Sequence, residues 1–513
     1  MLVVGRKKTY LCNMRKVIYI FYTLLLSALF VWACTPDVEP TPNDPEEGGN
    51  AKEEFDPNLD LPIEPYDPYY PSSEWSEEEL AKLFNMGAFP KIHIEVSLNE
   101  WKRLLEAYDY MKDYTYIHCD VDIELSGEEY SFNDAGLRIR GYSSRRRPEV
   151  RQYSDTHNAD KTDWQQSSFM LNLRKFQKDD AHELYNVRKI NLRHFFRDAT
   201  CCRELFCYDL FRRFGIWTAP YSSYCRLWIH VKGDSKPAYF GVYGMVESID
   251  DKFIKRRKEL FGDHKHNLWK CNCGAHLNYD TYDRSLIYFD DNLGINYHYE
   301  LKSNIENFEV AKAQLIEFMR KLSEYEGEEL YNWITSVCDV ELLLRTYAVN
   351  VAVGNWDDYW VNSNNYYLYF NTSDIDQYEV FFIPCDFDQT LGNGGGSYHI
   401  DVARQNPLMW GDSEANPLVA KLLEFEDLRA IYVEALKELC SEQNDLMHYT
   451  RAIPRIRQWH RMVEKYLYND TEENCEIVDA PGKDSSNPEY RILDESPDVN
   501  FFRLKAQAIE AIE

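Results

Sequence analysis

The sequence predicts an α+β protein, rich in strands through its first half and mostly helical in its second. Three patterns carry this reading. Apolar residues alternate with polar ones in short runs between residues 91 and 246, they recur at helical spacing over most of residues 308–512, and no repeat of fixed period runs along the chain. A period of two buries one face of a strand and a period of 3.6 one stripe of a helix, whereas solenoids and propellers need a repeat. In order, residues 77–84 form a short helix behind Ser76 with acidic residues at its head, and Lys91-Ile-His-Ile-Glu-Val-Ser97 alternates as a strand. Residues 98–111 are helical, and 114–125 and 136–140 return to strand character. Residues 145–164 are polar and aperiodic, so they predict a loop before a strand at 169–173. Residues 198–214 form one prominent helix closed by Gly215, a residue that tolerates the left-handed C-cap. Strands 224–231 and 239–246 flank a Lys232-Gly-Asp turn and complete a mixed sheet. Helices follow at 308–324, 328–336, 339–353, 417–440, 446–468 and 499–512, interrupted by one strand pair, 366–370 and 378–383. The boundary between the two parts falls near residue 250, giving a sheet-rich unit over 73–250 and a helical one over 251–513.

With 44% apolar and 28% charged residues, a chain of 513 residues can bury a large core, which excludes collagen-like, wholly disordered and multi-span membrane classes. The 57 Lys and Arg against 86 Asp and Glu leave a net charge of −29, so no nucleic-acid partner is expected through the overall field. The N-terminus reads as an address, with a basic start at Met14-Arg-Lys and an apolar run over 17–30. It ends in Val31-Trp-Ala-Cys34, which resembles a bacterial lipobox and makes Cys34 the expected lipidation site; an ordinary secretory signal or an uncleaved anchor are the alternatives. Residues 1–33 are then a leader, and residues 34–72, dense in Pro, Asp and Glu, an unfolded tether to the membrane. Thr35 in place of Asp after the lipid site favours the outer membrane of the cell envelope. Beyond Cys12 and Cys34, the cysteines are too sparse for a disulfide framework. Cys271-Asn-Cys273 beside His264, His266 and His276 could be a metal cluster, but its spacing fits no common zinc knuckle, so buried thiols or one local disulfide are expected instead.

The chemistry concentrates in Asn355-Trp-Asp-Asp-Tyr-Trp-Val-Asn-Ser-Asn-Asn365 and in Cys385-Asp-Phe-Asp388. A helix ending at Gly354 delivers Asp357 onto a loop, and a hairpin returns Asp386 beside it. Asp and Asn oxygens in this density suit Mg²⁺ or Mn²⁺ rather than zinc. Asp357 and Asn362 have the offset of the catalytic-loop base and metal-holding Asn of protein kinases, and Asp386-Phe-Asp388 stands where the metal-binding Asp-Phe-Gly would follow.

Six collinear segments then resemble the spore coat protein H (CotH) kinase family. They are Gly136-Leu-Arg-Ile-Arg-Gly-Tyr-Ser-Ser144, Gly241-Val-Tyr-Gly-Met-Val-Glu-Ser-Ile-Asp250, Asn267-Leu-Trp-Lys270, Tyr299-Glu-Leu-Lys-Ser-Asn304, and the two stretches around Asp357 and Asp386; the likeness covers about residues 90–395. The resemblance implies a divergent two-lobed protein-kinase-like fold, ATP with Mg²⁺ (or Mn²⁺), and transfer to a Ser or Thr of a protein substrate. It implies Asp357 as catalytic base, Asp386 as principal metal ligand, Asn362 or Asn365 as a second, and Asp358 and Asp388 in reserve. The Arg140-Gly141-Tyr142-Ser143-Ser144 turn would approach the phosphates, Glu204 would pair a phosphate-binding cation, and Glu247 would lie where the lobes join. Two departures stand out. Tyr142 replaces a common Asn, and Met170 and Asn172 replace the cations of a Lys-rich strand, leaving Arg174, Lys175, Arg188 or Lys189 as substitutes. The other functional reading is a catalytically degenerate surface lipoprotein that keeps the scaffold as a binding or adhesion module, for instance for glycans.

Overall fold

The computed structural model describes residues 78–109, 114–150, 157, 163–289, 297–393, 400–480 and 490–512. The leader, Cys34, the tether, the 394–396 glycines and His399 lie outside the described residues. The described chain is α+β, with a sheet-rich region followed by a mixed, mostly helical one.

The first region is a closed seven-stranded barrel rather than an open mixed sheet. Its strands are β1 (Lys91–Val96), β2 (Ile117–Leu125), β3 (Glu128–Ile139), β4 (Phe169–Asn172), β5 (Lys189–Arg193), β6 (Ser222–Val231) and β7 (Ala238–Glu247), in the order β1-β2-β3-β4-β5-β7-β6. Closure comes from β1, which pairs with β2 antiparallel and with β6 parallel, Lys91 lying opposite Arg226. Pairing both sides of β1 removes the edges an open sheet would expose. Alternation decides which side chains enter: Leu137, Ile139, Ile190 and Leu192 fill the interior, capped by α1 (Glu78–Leu83) and α2 (Leu98–Asp109). The intervening Arg138, Arg140, Asn191 and Arg193 therefore stand on the outside. Strand β5, Lys-Ile-Asn-Leu-Arg, was not expected from the sequence, although its two apolar residues alternate as a short strand requires.

Helix α3 (Arg203–Arg213) lies between the barrel and the rest, and every one of its residues is buried. Asp198 caps it, one carboxylate oxygen accepting from the amides of Cys202 (3.1 Å) and Arg203 (2.9 Å) and the other from the Arg203 guanidinium (2.6 Å). An ion pair this deep is supported by the further bonds of its members: Asp198 also accepts from Thr200, and Arg203 donates to Thr200 Oγ1 (3.0 Å) and to the Ala480 carbonyl (3.0 Å). Val242 and Val246 on the outer face of β7 share one apolar core with α3 and the second region.

In the second region the expected strand pair is the edge of a five-stranded sheet. After α4 (Asp251–Arg256) and α5 (Lys258–Phe261) come β8 (Asn267–Cys271), β9 (Ile287–Phe289) and β10 (Tyr299–Leu301). They join β11 (Tyr366–Phe370) and β12 (Val380–Pro384) in the order β12-β11-β8-β10-β9. Three-residue strands are too short to show a period, which is why β9 and β10 escape sequence reasoning. Around this sheet pack α6 (Phe308–Glu324), α7 (Gly327–Val337), α8 (Val340–Ala352), α9 (Tyr359–Asn362), α10 (Pro417–Leu422), α11 (Glu426–Cys440), α12 (Tyr449–Val463) and α13 (Phe501–Glu510). The single helix expected over 417–440 is thus two, broken at Leu423–Phe425, where Phe425 is extended. The described cysteines are all free thiols, and among the described residues no helix is long and apolar enough to cross a membrane.

Candidate active site

Helix α8 ends at Ala352 and is followed by Gly354, whose φ of +66° turns the chain sharply; a Cβ there would sit 2.8 Å from the Val402 carbonyl oxygen. The next turn presents Asp357. One of its carboxylate oxygens accepts from the amide groups of Asn362 (2.5 Å) and Asn364 (3.0 Å), and the other from that of Asn365 (3.0 Å). Left-handed backbone at Ser363 and Asn365 folds these amides back onto it. Asn362 and Asn365 thus hold Asp357 with their amide nitrogens, and a metal-ligand role for either would have to come through the amide oxygen. Burial raises the Asp357 pKa, the three amides oppose that, and nearby Asp386 adds to it. Asp358 is 2% exposed and caps α9 through the Val361 amide (2.8 Å), its carboxyl pushed up to about 7 mainly by burial. It is a structural neighbour of the loop.

Asp386 follows β12 with φ +63°, its amide donating to the Tyr208 hydroxyl of α3 at 3.0 Å. Phe387 fixes the turn by packing against Tyr208 and Phe211, with ring centroids 5.5 and 4.9 Å away. The cation that gathers the site is Arg193 at the end of β5. Its Nη2 donates to Asp386 Oδ1 at 2.6 Å and lies 3.5 Å from Asp388 Oδ2, while its Nε is 3.0 Å from Glu204 Oε2 on α3. Sequence reasoning missed Arg193 because it missed β5. The four substitutes it named are engaged elsewhere: Arg174 with Glu183 and Asp180, Arg188 with Asp250 and Asp251, Lys189 with Asp250, and Lys175 over the ring of Tyr116.

Two further cations face the same carboxylates. Arg140, at the end of β3, and Lys270, on β8, are half-buried, and desolvation lowers the pKa of each. Neither has a carboxylate in ion-pair contact among the described residues, although Glu300, opposite Lys270 on β10, raises the pKa of that lysine against burial, and Lys302 and Arg140 lower it. Burial alone would raise Asp386; Arg193, Arg140 and Lys270 outweigh it and bring its carboxyl down to about 2. Asp388 is pushed well above the carboxylate range by burial and by Asp386, and Glu204 is raised by burial against the pull of Arg193. Four acids and three cations from opposite sides thus share one cleft, with charge that a ligand would rebalance.

Beside them opens a small recess of about 20 Å³, lined by Ser144, Arg193, His194, Glu204, Gly244 and Asp388, among others. Ser144 belongs to the turn after β3, where Gly141 takes φ +106° and a Cβ would lie 2.8 Å from Ser144 Oγ. Ser143 and Tyr142 are exposed on that turn. The loop that continues it is tied down from the far end of the chain. Glu473 grips Arg146 through both oxygens (2.7 and 3.0 Å) and accepts from the Gln166 amide at 2.7 Å, two residues before recess-lining Ser168. Glu247 stands apart: both its oxygens are taken by Arg257 (2.9 and 2.8 Å), with Arg256 and the Tyr221 amide also bound, so it ties α4 and α5 to the end of β7.

Among the described residues no three His, Cys, Asp or Glu side chains close into a metal cage, the Cys271, Cys273 and histidine group included. An Mg²⁺ site does not require one. That ion is held by one or two carboxylates together with waters and substrate phosphates, and Asp386 and Asp388 are crowded acids of the right kind. The donor set therefore fits.

A model of the family described as CotH kinase protein matches residues 137–493, more than half of the chain. A search of curated proteins returned no match.

Proposed function

The chain belongs to the CotH kinase protein family, and from that premise we propose that it is an atypical protein kinase that moves the γ-phosphoryl group of ATP onto a Ser or Thr hydroxyl of a protein. The observation that carries this is the meeting of Arg140, Arg193 and Lys270 with Asp357, Asp386 and Asp388 in one cleft. Phosphoryl transfer asks little covalent chemistry of a protein; it asks for a charge cradle and a positioned base.

In this reading Arg140 and Lys270 bind the phosphate oxygens, since each brings a desolvated positive charge with no carboxylate in ion-pair contact, Lys270 being only steadied by Glu300 across the sheet. Arg193 bridges Glu204 to Asp386 and sets the distance between barrel and catalytic loop. Asp386 and Asp388 would hold Mg²⁺, which when bound neutralises phosphate oxygens and polarises phosphorus toward attack. Asp357 accepts the proton of the attacking hydroxyl; its raised pKa improves it as a base, and the three Asn amides keep its oxygens aimed. The Gly141–Ser144 turn offers backbone and hydroxyl donors to the same phosphates. The barrel and the helical region would then be the two lobes of a divergent kinase-like fold. A lipid on Cys34 and the acidic tether would hold this enzyme at the cell envelope, on the outer membrane.

The test is a thermal-shift titration with ATP and Mg²⁺. Wild-type protein is stabilised, and Asp386→Ala is not. No shift in the wild type, with binding on a glycan array instead, would replace the enzyme with a surface binding module.

A further inference from the structure

The outer face of the barrel beside the phosphate turn carries a ladder of alternating cations and tyrosines. Lys175 Nζ lies 4.8 Å from the centroid of Tyr116. The Arg138 guanidinium lies 5.3 Å from Tyr116 and 5.2 Å from Tyr114, and that of Arg145 is 5.4 Å from Tyr114 and 5.2 Å from Tyr108. Six side chains thus stack in one row. Its middle adjoins the phosphate turn, for the Tyr114 hydroxyl donates to the Gly141 carbonyl at 3.4 Å and Arg138 is two positions from Arg140 on the same side of β3.

The row is built rather than incidental. Gly136 makes room for it: a Cβ there would lie 2.6 Å from Lys175 Cβ and 2.9 Å from Tyr116 Cδ1, so only a glycine lets the lysine stem lie flat on the strand. Among the described residues neither Arg138 nor Lys175 has a carboxylate partner, and Arg138 spends only one donor, on the Ile139 carbonyl at 3.3 Å. Stacking on tyrosine fixes a guanidinium plane without neutralising it, so its fork is preorganised for a carboxylate. Exposed Tyr142, at 65% accessibility, extends the apolar edge of the row at the phosphate turn.

We propose that this ladder is a docking shelf for a carboxylate-rich segment of the polypeptide substrate. The inference rests on the kinase reading for the identity of its occupant, and on charge complementarity for its chemistry. The net charge of −29 opposes any polyanion at long range, an acidic peptide and a nucleic acid alike, so the attraction is local to the row.

The experiment uses the full-length protein and a fluorescein-labelled Glu-rich peptide, followed by anisotropy. Wild-type protein binds it, a Gln-rich peptide of equal length does not, and Arg138→Gln/Lys175→Gln weakens binding by about tenfold or more, as expected for the loss of two charge-assisted contacts. Gly136→Ala weakens it too, by displacing Lys175. Equal affinity in wild type and double variant, equal binding of the Gln peptide, or capture of a polyuronate but not the Glu peptide overturns the proposal. The ATP and Mg²⁺ thermal shift is recorded on the same samples. If it is absent from the wild type while peptide binding still depends on Arg138 and Lys175, the kinase reading falls and the shelf stands.

Discussion

Lys505 on α13 carries the sharpest stability prediction. Its side chain is fully buried, with Nζ 4.6 Å from the centroid of Trp410 and no hydrogen-bond partner among the described residues. Burial lowers its pKa to about 7, against the weak opposing pull of Cys440 and Asp401. In the unfolded chain a lysine titrates near 10.4, so between those values the unfolded state binds the extra proton and this residue makes stability rise with pH. A depression of roughly three and a half units corresponds at pH 7 to a cost of about 4 kcal/mol, falling to about 1 kcal/mol at pH 9.5. Lys505→Met keeps the stem and removes the charge. It is expected to raise stability at pH 7 by about 1–3 kcal/mol, after subtracting the lost cation–ring attraction and imperfect repacking. Urea unfolding at pH 7 and pH 9.5, read by circular dichroism, checks this. A variant less stable than wild type at pH 7, or a gain that does not shrink at pH 9.5, would refute the desolvation argument.

Asp357→Asn is expected to lower phosphoryl transfer from labelled ATP by about 10²–10⁴-fold, with nucleotide affinity retained, because it removes the proton acceptor and leaves the cations. Arg193→Met strands Glu204, Asp386 and Asp388 together and is expected to cost about 3–5 kcal/mol in chemical unfolding, with Arg193→Lys intermediate. A melt of Arg193→Met like that of wild type would mean the bridge carries no load. Glu473→Gln frees the loop behind the phosphate turn; since its ion pair with Arg146 is half-exposed, stability should fall by no more than about 1 kcal/mol. The KM for ATP should rise with kcat little changed, and the opposite split would assign Glu473 a different part.

What could be read beforehand follows the reach of each signal. Helices such as α6 and α8 show their period within one segment, and the loop with Asp357 and the turn with Asp386 carry their chemistry in consecutive letters. Arg193 does not. It becomes a site residue only when β5 pairs with β7, placing Arg193 opposite Gly244, and when α3 brings Glu204 alongside. Lys270 was visible as part of a motif, yet its orientation depends on β8 lying between β11 and β10. Glu473 lies in a stretch without any motif, and only tertiary folding takes it back across to Arg146. Long-range partners escape local patterns because sequence distance carries no spatial information without the topology.

The parallel pairing of β1 with β6 imposes an order on the birth of this molecule. Lys91 leaves the ribosome long before Arg226, its neighbour in the finished sheet. Until β6 has emerged, the N-terminal strand has one bare margin, and contacts so remote in sequence form slowly. A nascent chain therefore has no closed barrel until about half of its residues have been joined. Truncations ending before Ser222 should be degraded or sediment as aggregates, whereas the full chain should resist protease.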